Sequence, residues 1–117
     1  NINRIKMILN RNKKFVEKIF SKKEILYCNK KKAKEFCFAK RFAAKEALFK
    51  ALGIRNKLHF NDVEIRNTGS GAPKFVIKGF SLKNLKKIFK NKKFKIHLSL
   101  SDDKPWAVAS VIIFIYK

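Results

Sequence analysis

The sequence predicts one domain of the α+β class that spans residues 1–117. Apolar residues recur at helical spacing in the first half of the chain, whereas apolar and polar residues alternate in the second half as they do in strands. No internal repeat and no Pro- and Ser-rich linker divides the chain. Because a chain of 117 residues can bury about two thirds of its unfolded surface, we expect several helices packed on a small antiparallel sheet.

The first half of the chain predicts one long helix and several short ones. Residues 4–20 predict an amphipathic helix that breaks near residues 10–12. The stretch SKKE at 21–24 is typical of a capping box, which would start a second helix. The longest helix is predicted over residues 34–52, since Gly53 can adopt the left-handed conformation that often ends helices.

The second half begins with a predicted hairpin and a helix. The stretch LHFNDVEIRN at 58–67 predicts a strand, TGSG at 68–71 predicts a turn, and residues 72–79 predict the partner strand. Residues 81–91 then predict a basic amphipathic helix. Its inward-facing residues are expected to be Leu82, Leu85, Ile88 and Phe89.

Two strands are predicted at the end of the chain. Residues 94–101 alternate strictly, with Phe and aliphatic residues on one face and polar residues on the other. Residues 106–116 are apolar on both faces, so we expect this strand to be central in its sheet or covered by another subunit. No apolar run reaches the ~18–20 residues of a membrane span.

The composition points to an anionic partner. The net charge is +22 at pH 7, and 25 of the 30 basic residues are Lys. With 46% apolar residues the chain is expected to fold rather than to be disordered. A nucleic acid, a phosphate-bearing metabolite, an acidic protein or a membrane surface would suit this charge. Cys28 and Cys37, which have no CxxC spacing, are interpreted as buried reduced thiols of a cytoplasmic protein.

The long predicted helix carries charges that allow two interpretations. Glu46 and Lys50 are four residues apart and share a face, whereas Arg41 lies about 140° around the axis from Glu46. One interpretation is an ordinary ion pair on the surface. The other is a phosphate site, in which Arg41 donates through its forked guanidinium, Lys50 acts as a point charge and Glu46 binds a hard cation.

Two further features could belong to a site. His97 lies on the polar face of its predicted strand beside Ser99 and Ser101, where it is either structural or a general base or substrate contact. The turn NTGSGAP at 67–73 is rich in Gly but lacks the spacing of a P-loop. Neither feature identifies a function by itself.

Taken together, these motifs resemble those of a known family. The stretch RFAAKEALFKALG (41–53), the hairpin with its Gly-x-Pro turn, and HLSLSD (97–102) followed by AVASVII (107–113) resemble the holo-acyl-carrier-protein synthase family. Members of this family are small trimeric phosphopantetheinyl transferases. The resemblance spans nearly the whole chain, and it implies the 4′-phosphopantetheinyl transferase fold and a homotrimer with active sites at its subunit interfaces.

The resemblance also implies a reaction and a set of residues. The reaction transfers 4′-phosphopantetheine from coenzyme A to a serine of apo acyl carrier protein, requires Mg²⁺, releases adenosine 3′,5′-bisphosphate and serves fatty-acid biosynthesis. By similarity Glu46 is a metal ligand, Lys50 faces the phosphates and His97 completes the site from across a subunit boundary. The residues that the resemblance assigns to coenzyme A are Arg41, Lys50, Gly71, Pro73 and His97.

Three departures from the family pattern affect these expectations. The family carries a metal-binding Asp that, aligned on NRI at 3–5, would fall three residues before Asn1, so we expect the sequence to lack its first several residues. Lys40 stands where the family usually has Gly, which adds positive charge near the expected phosphate. Ala72 stands where the family often has Lys, so one contact to the nucleotide is expected to be absent.

The basic first helix is where the resemblance implies docking of the acidic acyl carrier protein. We expect this association to be steered by charge and to weaken as salt rises. An alternative function is that of a small basic nucleic-acid-binding or ribosome-associated protein. It does not account for the motifs above, so we expect no nucleic-acid partner. The positions that match the family's carrier contacts are Arg4, Arg11, Lys14 and Phe15.

Overall fold

The computed structural model describes residues 2–11, 13–53, 58–67, 72–103 and 105–116, with the backbone alone at residues 11, 102 and 103. Within these ranges a helical half is followed by a half that contains two antiparallel hairpins. In the described part of the chain, the 3-10 turn Phe60–Asp62 lies between these two halves. The helices and strands are α1 (Ile2–Arg11), α2 (Lys13–Ile19), α3 (Lys22–Asn29), α4 (Lys34–Leu52), β1 (Val63–Asn67), β2 (Pro73–Ile77), α5 (Gly79–Ile88), β3 (Phe94–Asp103) and β4 (Trp106–Ile115).

The first helices form as the apolar spacing predicts. α1 ends at Arg11 and α2 begins at Lys13, which confirms the predicted break near residues 10–12. The inner faces of both helices pack against α4 in a buried cluster that includes Phe20 and Phe38. These two rings lie edge to face, with centroids 5.0 Å apart. The outer faces of α1 and α2 are exposed to solvent.

Both predicted helix-end signals are confirmed. The Ser21 hydroxyl accepts a hydrogen bond from the Glu24 amide at 3.2 Å, and the Glu24 carboxylate accepts one from the Ser21 amide at 3.0 Å. This capping box starts α3. Gly53 has φ of +67° and donates its amide to the carbonyl groups of Phe49 and Lys50. The left-handed conformation ends α4, because few other residues adopt it without strain.

The interpretation of the two cysteines as reduced thiols is wrong in this structure. Both are buried, as predicted, but Cys28 and Cys37 form a disulfide. Cys28 lies in the last turn of α3 and Cys37 in the first turn of α4. The short connection between these helices brings the two Cα atoms to 5.4 Å, which is within the usual range for a disulfide.

The predicted strand over residues 58–67 is only half correct. Residues 60–62 form the 3-10 turn, and the strand begins at Val63. Contacts from distant segments explain this difference: the Lys45 ammonium donates to the Phe60 carbonyl, and the Ser81 hydroxyl donates to the Asp62 carboxylate. β1 pairs with β2 as predicted, whereas the predicted turn at 68–71 lies outside the described residues.

The last three elements follow the predicted pattern with one exception. In α5, Leu85 and the adjoining Phe89 are buried, but Ile88 is 39% exposed because it lies at the edge of the apolar stripe. β3 pairs with β4 in register, so that His97 lies opposite Ile112. The antiparallel sheet that the sequence predicts is present as two separate two-stranded sheets, β1–β2 and β3–β4.

One face of the β3–β4 hairpin exposes large apolar residues of β4 in this chain. Alternate residues of β4 point away from the core, and those of β3 on the same face are polar. We call this exposed face of the hairpin the β4 outer face. Its large apolar residues, each between 45% and 58% exposed, are Trp106, Val108, Ile112 and Phe114.

Among the described residues, no helix is long and apolar enough to cross a membrane.

Candidate active site

Glu46 and Lys50 lie together on the last turns of α4 and line a cavity of about 890 Å³. The opposite wall comes from the segment that enters the 3-10 turn, which contributes His59, Phe60 and Asn61. Gly53 also lines the cavity, because α4 ends beside it. The structure therefore brings together two of the residues that the sequence predicts to be catalytic.

Lys45, which precedes Glu46, fixes the wall of this cavity from the inside. Its ammonium is fully buried and donates to three acceptors: the Ile19 carbonyl at 2.6 Å, the Glu24 carboxylate at 2.6 Å and the Phe60 carbonyl at 2.9 Å. Burial lowers the pKa of Lys45, and the charge of Glu24 opposes that shift. All three ammonium protons are thus used to connect α4 to α2, α3 and the 3-10 turn.

An aromatic stack supports the same wall. The Phe60 ring lies parallel to the Phe49 ring, with centroids 4.4 Å apart and an angle of 2° between the planes. Because Phe49 belongs to α4, the stack fixes the Phe60 side of the cavity relative to Glu46 and Lys50. α4 therefore supplies the charged side chains of the cavity and also supports its Phe60 side.

Glu46 and Lys50 are charged groups without an ion-pair partner among the described residues. Glu46 is partly buried and Lys50 is exposed. The surface ion pair that the spacing allows is therefore not formed in the described part of the chain. Both groups are available to a ligand in the cavity.

The described residues do not form a complete metal site. They contain no group of three or more His, Cys, Asp or Glu side chains that could hold a metal ion. Glu46 supplies the one carboxylate that lines this cavity within the described part of the chain. Mg²⁺ usually takes one or two carboxylates together with substrate phosphates and water, so Glu46 could provide part of such a site but not all of it.

Arg41 lies on a different face of α4 and lines a second cavity, of about 430 Å³. Pro73, the first residue of β2, lines the same cavity. Arg41 as a whole is only 4% exposed, and its guanidinium donates to the Asn67 side-chain oxygen at 2.7 Å and to the Cys37 sulfur at 3.4 Å. Burial lowers the pKa of Arg41, and the charge of Glu24 opposes this shift.

His97 lines neither of these two cavities. It is exposed on the polar side of β3, next to the β4 outer face, and its ring lies edge to face with Phe114 at 5.4 Å. Within one chain, the predicted site residues therefore do not converge. Glu46 and Lys50 form one group, Arg41 and Pro73 form a second, and His97 stands apart, while Gly71 lies outside the described residues.

The sequence profile of the 4′-phosphopantetheinyl transferase superfamily matches residues 1–111 of the 117. The chain belongs to this superfamily. Holo-acyl-carrier-protein synthase of Pelagibacter ubique is 42% identical over 105 residues, which are 88% of this chain and 82% of that protein. The synthase of Zymomonas mobilis is 44% identical over 119 aligned positions, covering 97% of this chain and 89% of that protein. The resemblance seen in the sequence is thereby confirmed.

A solved structure from the same superfamily has the same fold. The crystal structure of Helicobacter pylori holo-acyl-carrier-protein synthase in complex with coenzyme A superimposes with a TM-score of 0.80 at 32% sequence identity. The alignment covers 97% of this chain and 93% of that chain. The α+β fold predicted from the sequence is therefore the fold of a phosphopantetheinyl transferase.

Three of the four residues matched to the carrier contacts of the family lie on the outer faces of α1 and α2. Arg4 is exposed, and its guanidinium lies 5.8 Å from the centre of the Phe42 ring. Lys14 is exposed and Phe15 is 39% exposed, whereas the Arg11 side chain lies outside the described part of the structure. The three described residues are thus accessible to a partner protein.

Sequence reasoning missed residues whose role depends on tertiary contacts. Lys45 is adjacent to Glu46 in the sequence, but its side chain is buried among α2, α3 and the 3-10 turn. Its position about 100° around the helix from Glu46 was the available signal that it faces another way. His59 belongs to no motif in the sequence, although it lines the cavity with Glu46 and the centre of its ring lies 4.7 Å from that of the Phe80 ring.

Proposed function

We propose that this protein transfers 4′-phosphopantetheine from coenzyme A to a serine of an apo acyl carrier protein. The observation that carries the proposal is the pair Glu46 and Lys50, unpaired within the described residues and facing one cavity in a chain of this superfamily. The curated relatives are named for this activity, and one related structure contains coenzyme A.

The proposed chemistry is a displacement at phosphorus. The serine hydroxyl attacks the β-phosphorus of coenzyme A, a new O–P bond forms as the hydroxyl proton passes to water, and the bond to the bridging oxygen of the pyrophosphate breaks. Adenosine 3′,5′-bisphosphate leaves with that oxygen, and negative charge develops on it. Lys50 supports the reaction as an exposed cation on the cavity, since catalysis of phosphoryl transfer rests mainly on positioning and on stabilising charge.

Mg²⁺ is part of the proposal, with Glu46 as one of its ligands. A single carboxylate makes a weak site, so we propose that phosphate oxygens of coenzyme A and water complete it. When bound, the ion would neutralise charge on the pyrophosphate. Glu46 suits this role because it is partly buried, faces the cavity and is not neutralised by a described cation.

We further propose that the active site is shared between copies of the chain in a homotrimer. Glu46 and Lys50 occupy one cavity while Arg41 and Pro73 occupy another, and His97 lies beside the exposed β4 outer face. Joining the first cavity of one copy to the second cavity and His97 of its neighbour would collect all these residues at one coenzyme A molecule. The apolar β4 outer face is a suitable surface for such an association.

The second substrate in this proposal is the acidic acyl carrier protein, which docks on the outer faces of α1 and α2. Arg4 and Lys14 offer positive charge there, and Phe15 offers apolar surface. Charge complementarity of this kind speeds encounter more than it adds affinity. The cytoplasmic location expected from the sequence stays a prediction.

Glu46→Gln is the direct test of the proposed function. We expect kcat/KM for phosphopantetheine transfer to fall on the order of 100-fold, because the substitution removes the carboxylate charge at the cavity. Transfer is measured by the mass gain of a carrier protein in the presence of coenzyme A and Mg²⁺. Glu35→Gln, in the first turn of the same helix, is the matched control and should keep full activity. Full activity of Glu46→Gln would refute the assignment.

A further inference from the structure

The aromatic ring of Tyr27 contacts two cations at the Arg41 cavity. The guanidinium carbon of Arg41 lies 4.4 Å from the ring centroid, and the Lys31 ammonium lies 4.6 Å from it. Both distances are within the range in which the negative face of an aromatic ring attracts a cation. Tyr27, Lys31 and Arg41 all line the cavity of about 430 Å³ that Pro73 also lines.

Positive charge is concentrated in the lining of this cavity, and Glu24, whose charge acts on Arg41, is not part of that lining. Four cationic side chains line it, and among the described residues no Asp or Glu does. Like charges repel one another, so an attractive surface helps to keep the cations of this cavity together. The face of Tyr27 is such a surface for Lys31 and Arg41. The four cationic residues are Lys31, Lys32, Lys40 and Arg41.

The end of α3 that carries Tyr27 is joined covalently to α4. The next residue, Cys28, is joined by a disulfide to Cys37, which lies one helical turn before Arg41. The Cys37 sulfur itself accepts a hydrogen bond from Arg41. The disulfide therefore ties the end of α3, and with it Tyr27, to the part of α4 that carries the guanidinium.

The guanidinium is held on its other side by the end of β1. Asn67 accepts a hydrogen bond from one terminal nitrogen of Arg41, whereas the inner nitrogen, Nε, is buried and has no partner within the described residues. With the ring, the sulfur and Asn67 as neighbours, Arg41 has one orientation set by three separate elements.

We infer that Tyr27 is a positioning residue, which holds Lys31 and Arg41 at this cavity so that they bind a phosphate of coenzyme A. The inference rests on the proposed function and adds to it the residue that orders the cations and a further contact residue, Lys31. Tyr27 acts through the π face of its ring and does not itself touch the reacting atoms. The ring faces both cations, whereas the hydroxyl acts on Arg41 alone, so the ring is the part that positions Lys31 and Arg41 together.

Two substitutions at Tyr27 test this inference. Tyr27→Leu removes the ring, and we expect it to raise KM for coenzyme A and Kd for adenosine 3′,5′-bisphosphate at least fivefold, which is about 1 kcal/mol. Because the reacting groups are untouched, kcat should change less than twofold. Tyr27→Phe keeps the ring and should bind like the wild type. Leu26→Ala, an exposed neighbour on the same helix, is the matched control and should change neither constant.

Kinetics and calorimetry of the full chain would give these constants, and a nuclear magnetic resonance measurement adds a readout that needs no ligand. The Arg41 guanidinium protons, assigned by their loss in Arg41→Lys, should be shifted upfield by the ring in the wild type and in Tyr27→Phe. They should return to ordinary positions in Tyr27→Leu.

Three outcomes would contradict the role of Tyr27. Unchanged binding by Tyr27→Leu would refute it, and equal losses in Tyr27→Phe and Tyr27→Leu would show that the hydroxyl is responsible. An unshifted Arg41 signal in the wild type would also refute it. If the wild type bound neither coenzyme A nor the bisphosphate, the proposed function would fail, and the resonance shifts would still decide separately whether Tyr27 positions Arg41.

Discussion

At the scale of single residues, the charges of this chain divide into those held by the fold and those left for a ligand. Lys45 and Glu24 are fully buried partners, whereas Glu46 and Lys50, on the same helix as Lys45, have no described partner. Glu64 belongs to the first group. It is buried beside Arg66, and the Lys78 ammonium lies 3.1 Å from its carboxylate.

Glu64 should make the stability of the fold sensitive to acid. Burial acts to raise its pKa, but hydrogen bonds from Arg66, Lys78 and Ser21 outweigh burial and lower it to about 2. Since the pKa in the folded state is below the unfolded value, this stabilisation is complete above about pH 4.5 and is lost as pH falls toward 2. It amounts to something on the order of 3 kcal/mol.

The measurement is the free energy of unfolding by urea as a function of pH. Glu64→Gln should be less stable than the wild type at neutral pH, and the difference should shrink between about pH 4.5 and pH 2. Glu17→Gln, at an exposed position of α2, provides the control, and its difference from the wild type should stay small at every pH. A constant difference for Glu64→Gln across this range would contradict the assignment.

At the scale of helices and strands, local signals gave accurate boundaries and contacts between distant segments changed the rest. α4 runs from Lys34 to Leu52 as predicted, because Gly53 is a local signal that no tertiary contact has to supply. Residues 60–62 lie within a predicted strand but form a 3-10 turn, since Lys45 and Ser81 bond to that segment from elsewhere in the chain. A sequence pattern contains no information about such bonds.

Lys45→Met tests how far one buried side chain holds these elements together. The variant should lose about 3–5 kcal/mol of unfolding free energy, because it leaves the Glu24 carboxylate buried without its cation. Lys50→Met, the same change at an exposed position of the same helix, should alter stability by less than about 0.5 kcal/mol. Urea denaturation of both variants provides the comparison, and equal stabilities would show that the ion pair is unimportant.

At the scale of the whole molecule, the sequence predicted a set of site residues but not their arrangement. The family motif selected Glu46, Lys50 and Arg41, and their spacing already put Arg41 about 140° from Glu46. In this chain the two directions lead to two different cavities. A sequence pattern does not show which surfaces of two copies meet, because that depends on the shapes of the surfaces.

Ile112→Lys tests the proposed trimer. A charge at the centre of the β4 outer face should prevent association, so sedimentation equilibrium should give the mass of one chain where the wild type gives that of three. Met7→Lys places the same charge at another exposed apolar residue, on α1, and should leave the trimer intact. A wild type that sediments as a monomer at micromolar concentration would contradict the proposal directly.

Lys14→Glu tests docking of the carrier protein. The variant should raise KM for the carrier about fivefold, because it places a negative charge opposite an acidic partner, and KM for coenzyme A should not change. Lys83→Glu on the exposed side of α5 is the matched control. The wild-type KM for the carrier should also rise with ionic strength. Equal effects of the two substitutions would mean that only net charge matters.

The placement of Arg41 and Glu46 on different sides of one helix has a consequence for mixtures of variant chains. If each site takes these residues from two neighbouring copies, an inactive Glu46 variant and an inactive Arg41 variant should complement each other when their chains are mixed and reassembled. Random mixing in equal amounts would give about one site in four both intact residues. Mixing two inactive preparations would then restore activity, in proportion to the fraction of sites that have both intact residues.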